Sequence, residues 1–162
     1  MPVTSTIQDP EKLTLTIVAD LAAPPKRTWQ VWVDPRQLER WWGPPTWPAT
    51  FVEHDVAVGG RSFYYMTGPQ GDRMHGAWQF VSVDEPRGLA FDDWFADATG
   101  ARDTSKPVVR ADVALDETAT GTRMTITSHF ATVEQMQELA DMGMAEGMTE
   151  AMGQLDEVLA EG

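Results

Sequence analysis

Few side chains in this sequence are able to do chemistry, and their positions keep them apart. There is no Cys, which removes thiolate nucleophiles, disulfides and cysteine metal sites. The three His are His54, His75 and His129. They show neither HxH nor HxxxH spacing and fall on separate expected strands, so neither a shared metal nor another cofactor is expected. One His alone still suits a general base, because imidazole titrates near neutrality. Asp92, Asp93 and Asp97 surround Trp94, but neighbouring strand residues point to opposite faces, which separates Asp92 from Asp93. Asp93 shares its face with Phe91 and Phe95, where a carboxyl is partly desolvated. Arg110 alternates toward solvent. No Gly-x-Ser-x-Gly, phosphate loop or dinucleotide fingerprint occurs. Tyr65, His75, Asp93 and Arg110 are the candidates for acid/base or orienting work.

The aromatic residues are better organised. Trp78 and Phe80 share a strand face, as do Phe91 and Phe95, and Phe63 and Tyr65 form a further pair. Such faces wall a pocket for a flat apolar ligand, or fill a core. Trp41-Trp42-Gly43-Pro44 closes a short helical stretch.

Positioning these groups requires a sheet and a cover. Residues 1–11 read as a flexible arm, and 12–162 as one domain. Lys12 to Ala19 alternates as a half-buried strand. Two short helices follow, Lys26 to Val33 and Arg36 to Trp41, the second capped by Asp34. Six strands joined by hairpin signals such as Gly68-Pro69-Gln70-Gly71-Asp72 come next. Hairpins make the pairing antiparallel. Thr132 to Ala160 is the one long helix, opened by Thr132 and Gln135 in capping-box spacing. Met136, Gly143 and Gly147 lie along one stripe and Met144 and Met148 beside it. Gly is costly in a helix and Met adapts to irregular space, so this stripe roofs a cavity, or its glycines only allow close packing on the sheet or kink the helix. The expectation is an α+β fold: a curved seven-stranded antiparallel sheet gripping a long C-terminal helix, with two short helices after the first strand.

Composition narrows the partners. A net charge of −13 disfavours nucleic acid and anionic membrane surfaces. No apolar run reaches the ~20 residues of a membrane span. Residues 1–10 are polar and lack the apolar core of a signal peptide, so a cytoplasmic protein, monomeric or homodimeric, is expected.

The sequence also resembles a known family. Leu21-Ala22-Ala23-Pro24, then Trp29-x-x-Trp32-x-Asp34-Pro35-x-x-Leu38-x-x-Trp41-Trp42-Gly43-Pro44, is similar to the start of the START-like, helix-grip (SRPBCC) superfamily. The branch is that of homologues of the activator of the heat-shock chaperone ATPase. Asp55-x-x-Val58-Gly59-Gly60-Arg61, Gly68-Pro69-x-Gly71 and Gly121-Thr122-Arg123-Met124-Thr125 extend the likeness in the same order. Two positions depart from the pattern: Ala57 stands where Arg is common, and Gly147-Met148 where Gly-Trp is common. The resemblance implies a deep apolar cavity between sheet and helix that binds lipids, polyketides or other hydrophobic small molecules. It also implies two alternatives, a cyclase- or hydrolase-type enzyme in that cavity and a chaperone co-regulator. Trp32, Trp41, Phe63, Tyr65, Trp78, Phe80, Phe91, Phe95, Met136, Gly143, Met144, Gly147 and Met148 are the expected ligand-binding residues. Among them Trp78, Phe80, Phe91 and Met148 should line one enclosed apolar space.

Overall fold

The structure, a computed structural model, describes residues 2–161. Eight strands form one sheet: β1 (Val3–Asp9), β2 (Thr14–Leu21), β3 (Ala49–His54), β4 (Arg61–Thr67), β5 (Arg73–Asp84), β6 (Gly88–Ala96), β7 (Val109–Thr118) and β8 (Gly121–His129). Helices α1 (Pro25–Val33) and α2 (Pro35–Leu38) follow β2. The strand order is β1-β2-β8-β7-β6-β5-β4-β3. Every pairing is antiparallel. Only β2 to β8 is a long-range closure; it sets Leu15, Ile17, Ala19 and Leu21 opposite Ser128, Ile126, Met124 and Thr122. All eight of these side chains are buried, so alternation along both strands faces the same core.

The expected seven strands become eight, because residues 3–9 of the expected arm are strand β1; Met1, like Gly162, lies outside the described residues. Ile7 in β1 is 56% exposed and most of its neighbours are polar. Backbone pairing with β2 holds this edge strand, from Val3↔Ala19 to Asp9↔Thr14. A strand held by its backbone leaves no apolar alternation to read.

The long C-terminal helix also needs correction. It is three consecutive pieces, α3 (Val133–Asp141), α4 (Met144–Met152) and α5 (Leu155–Ala160). The Thr132 hydroxyl accepts from the Gln135 N–H at 3.1 Å, which starts α3 as the capping spacing demands. Gln135 Oε1 has no partner among the described residues, so the reciprocal half of the box is not made. Gly143 ends the first piece: its φ of +82° is the left-handed geometry that favours glycine. The pieces still act as one cover. Met136 and Leu139 of α3, Ala151 and Met152 of α4, and Leu155, Val158 and Leu159 of α5 are all buried.

At its far end the cover is bolted to the short helices. Arg27 donates to the Val158 carbonyl at 2.9 Å, and Gln154 Nε2 to the Gly43 carbonyl at 2.7 Å. The Asp34 side chain caps α2 by accepting from Arg36 N at 3.0 Å. Around this corner lies an aromatic core. Trp78 stacks on Phe91 at 4.0 Å, and Trp32 meets Trp41 edge-on at 4.9 Å. Two polar links stitch it: Trp41 Nε1 donates to the Val31 carbonyl at 2.9 Å, and His54 bridges Ser62 Oγ (2.7 Å) and the Trp32 carbonyl (2.8 Å). Burial holds the His54 pKa below its ordinary value, so the ring donates from Nε2 to the carbonyl and accepts from Ser62.

Candidate functional site

Between the sheet and the α3–α4 cover lies a cavity of about 280 Å³. Its walls come from five strands and the loop after α2. Trp41, Trp42 and Pro44 close one end; Tyr64, Met66, Met74, Gly76, Asp93, Phe95, Val109, Ala111, Ile126 and Ser128 form the sheet side. Leu139, Met142, Gly143, Met144, Gly147, Met148, Ala151 and Met152 form the roof. Gly147 contributes open space: a Cβ built there would meet nothing within 4 Å. On the scale where a cavity of ~150 Å³ takes one benzene, this volume suits about two fused rings.

Besides Ser128, one polar pole interrupts the apolar lining. Tyr64 on β4 reaches across Gly76 of β5 toward Asp93 on β6. The ring lies so close over Gly76 that a Cβ there would sit 2.5 Å from Tyr64 Cζ and Oη. Glycine is therefore required at this crossing. The Tyr64 hydroxyl makes a long contact of 3.5 Å with Asp93 Oδ1. Burial raises the Asp93 pKa from 3.8 to about 7, partly offset by that contact. Burial, followed by the nearby Asp93 charge, pushes the Tyr64 phenol well above its ordinary value. The Trp42 and Trp78 indole N–H groups lie near enough to the Tyr64 oxygen to favour its anion, yet neither completes a hydrogen bond with any described residue. The sequence shows this pole only in part. Asp93 is legible from its face. Tyr64 and Met66 are not, because β4 carries aromatics on both faces and its alternation singles out Phe63 and Tyr65 instead. The signal for Tyr64 is Gly76, a strand glycine that marks close approach by a neighbour.

The structure separates the expected site residues into three groups. Trp41, Phe95, Gly143, Met144, Gly147 and Met148 border the cavity, together with Asp93. Trp32, Trp78, Phe80, Phe91 and Met136 are buried in the adjoining core and do not border it. The expectation that Trp78, Phe80, Phe91 and Met148 line one space therefore holds for Met148 alone: the three aromatics pack on one another and fill their own volume. Phe63 and Tyr65 lie on the outer face, in register with Ala77 and His75. There the His75 ring stacks on Phe63 at 5.8 Å, and Arg73 sits 4.1 Å above the Tyr65 ring. His75 reaches the cavity wall only as part of β5, since its ring stacks outside. Arg110 pairs with Asp92 at 2.6 Å on the outer face and not with Asp93. His129 pairs with Asp112 at 2.8 Å. The three His thus have three unrelated sets of partners.

An antiparallel sheet closed by a C-terminal helical cover, with an apolar cavity between them, defines an α+β domain of helix-grip type. The chain belongs to the family described as "Activator of Hsp90 ATPase homolog 1-like protein", whose profile matches residues 22–160. It is similar in structure to a protein from Arthrobacter aurescens, with 53% identity, TM-score 0.94, and coverage of 99% of this chain and 93% of that one. Protein Ms6760 from Mycobacterium smegmatis is 46% identical, with TM-score 0.91 and coverage of 98% and 97%. A Staphylococcus epidermidis protein is 25% identical at TM-score 0.84, covering 98% and 94%. No curated protein matches the chain. Among the described residues, no helix is long and apolar enough to cross a membrane.

Proposed function

We propose that the protein binds a hydrophobic, aromatic or polycyclic small molecule in the cavity between the sheet and α3–α4. The observation that carries this reading is the open volume beneath Gly147, walled by apolar side chains and holding one polar pole. A concave, mainly apolar space with few convergent polar groups is the usual form of a small-molecule site. Native mass spectrometry of the protein as purified tests it, followed by titration with an apolar fluorescent probe. A co-purified small molecule, or saturable probe binding that Gly147→Leu weakens, is the expected result. A well-folded protein that carries nothing and binds no apolar probe would refute the reading.

A second reading, an acid/base enzyme in the same cavity, draws on the Tyr64–Asp93 convergence. A carboxyl that titrates near pH 7 exchanges protons readily at the working pH. The chemistry then differs from the expected set, since Tyr65, His75 and Arg110 direct their side chains outward. The covalent structure of a bound molecule, read by mass and NMR spectra before and after incubation, separates the two readings. A change in structure that Asp93→Asn prevents marks turnover; an unchanged structure marks a carrier.

A further inference from the structure

The charge balance of the cavity points to a more specific ligand class. Asp93 is the one acidic side chain bordering it, and among the described residues no Lys or Arg borders it. From β4 there is Tyr64, whose hydroxyl contacts Oδ1. On β5, His75 stacks outside on Phe63. On β7, Arg110 is turned outward to Asp92. On the cover, Glu138, Asp141, Glu146 and Glu150 are exposed and do not border the cavity. The Asp93 carboxylate therefore has no counter-charge among the described residues. The neighbouring donors run one way: the indole N–H groups of Trp42 and Trp78 lie toward the Tyr64 oxygen, and the Tyr64 O–H toward Asp93 Oδ1. Asp93 Oδ2 is left without a partner among the described residues, so the pole presents an acceptor to whatever enters.

We propose that the cavity takes a lipophilic amine: an apolar body of about two fused rings carrying a protonated nitrogen, which donates to Asp93 Oδ2. This rests on the small-molecule reading above. Three observations support it beyond the lone carboxyl. The rings of Tyr64, Trp42 and Phe95 border the same space, and aromatic faces attract ammonium groups. The apolar roof matches the body of such a ligand and lowers the local polarity around the ion pair, which strengthens it. The chain's net charge of −13 concentrates organic cations near its surface.

Three matched probes test the proposal: 2-(aminomethyl)naphthalene, 2-methylnaphthalene and naphthalene-2-carboxylate, each titrated calorimetrically at about pH 8, where Asp93, with a pKa of about 7, is ionised. The amine is expected to bind about tenfold or more tighter than the hydrocarbon, the scale of one charge-assisted hydrogen bond. The carboxylate is expected to bind weakest. In Asp93→Asn the ratio of amine to hydrocarbon affinity should fall to about one. The unaltered protein supplies a second check that needs no variant. At about pH 5 the amine stays charged while Asp93 takes up a proton, so its advantage should shrink. Equal binding of amine and hydrocarbon at pH 8, or tightest binding of the carboxylate, overturns the proposal and leaves the cavity reading standing. Binding of none of the three overturns both.

Discussion

Asp93 sits where a carboxylate is costly, and its titration gives the site a measurable signature. The pKa is raised in the folded state, so the folded protein holds the proton more tightly than the unfolded chain. The resulting stabilisation is fully present below the ordinary carboxyl pKa of about 4 and is lost as pH rises through about 7. Asp93→Asn removes this dependence. Relative to that variant, the parent should lose about 2–4 kcal/mol between pH 4 and pH 8, read from denaturant midpoints at each pH. Identical pH profiles for the two proteins would mean that Asp93 is solvated. His54 acts in the opposite direction: its lowered pKa contributes stability above about pH 6.5 that fades on acidification. In the adjoining core, Phe91→Ala should cost about 3–5 kcal/mol of unfolding free energy, because the ring is wholly buried against Trp78. At this scale the sequence identifies the polar residue and misplaces the aromatics. Alternation puts Asp93 on the Phe91–Phe95 face, which is correct. It says nothing of which aromatics fill the core and which stop short of it, since that depends on how Trp41 and Trp42 pack from outside the sheet.

The helical cover contains two glycines that look alike in sequence and differ in kind. Gly143 holds a left-handed φ of +82° at the break between α3 and α4, whereas Gly147 lies inside α4 with open space beyond it. Gly143→Ala should therefore destabilise by about 1 kcal/mol or more, the strain of a side chain at positive φ. Gly147→Ala should stabilise by up to about 1 kcal/mol through helix propensity. Thermal melts of the pair test this: shifts of the same sign would show that the two sites are not distinct. Gly147→Leu extends the argument, melting at or above the parent while losing affinity for an apolar probe, because the new side chain occupies the space a ligand needs. The helix start at Thr132 and the Gly/Met stripe are legible from spacing alone. The break is legible only as one option, a kink at a glycine, because a glycine four residues before another fits an unbroken helix equally well until the backbone angle is known.

Across the whole molecule, the sheet's order places β1 on the outside of β2, where it covers an edge. Deleting residues 2–10 would leave that side of β2 unpaired. The truncated protein should be less stable and associate edge to edge, visible as a shift to larger species in size-exclusion chromatography. A monomer of undiminished stability would show that β1 is dispensable. The general architecture was legible because hairpin turns and alternating strands have strong local signals. The first strand was not, because its contribution lies in backbone hydrogen bonds that any polar sequence can make. The cavity lining has a further consequence. Met66, Met74, Met142, Met144, Met148 and Met152 all border it, and Met74 and Met142 are 45% and 47% exposed. Thioethers at such positions are open to peroxide, which turns an apolar, pliant chain into a polar sulfoxide. Mild oxidation should thus reach the exposed pair first and weaken uptake of apolar molecules while the sheet persists. A reductase acting on methionine sulfoxide should restore it. In the proposed ligand-binding role, the same pliancy that would let the roof mould itself to a guest would make occupancy of the pocket answer to oxidative stress.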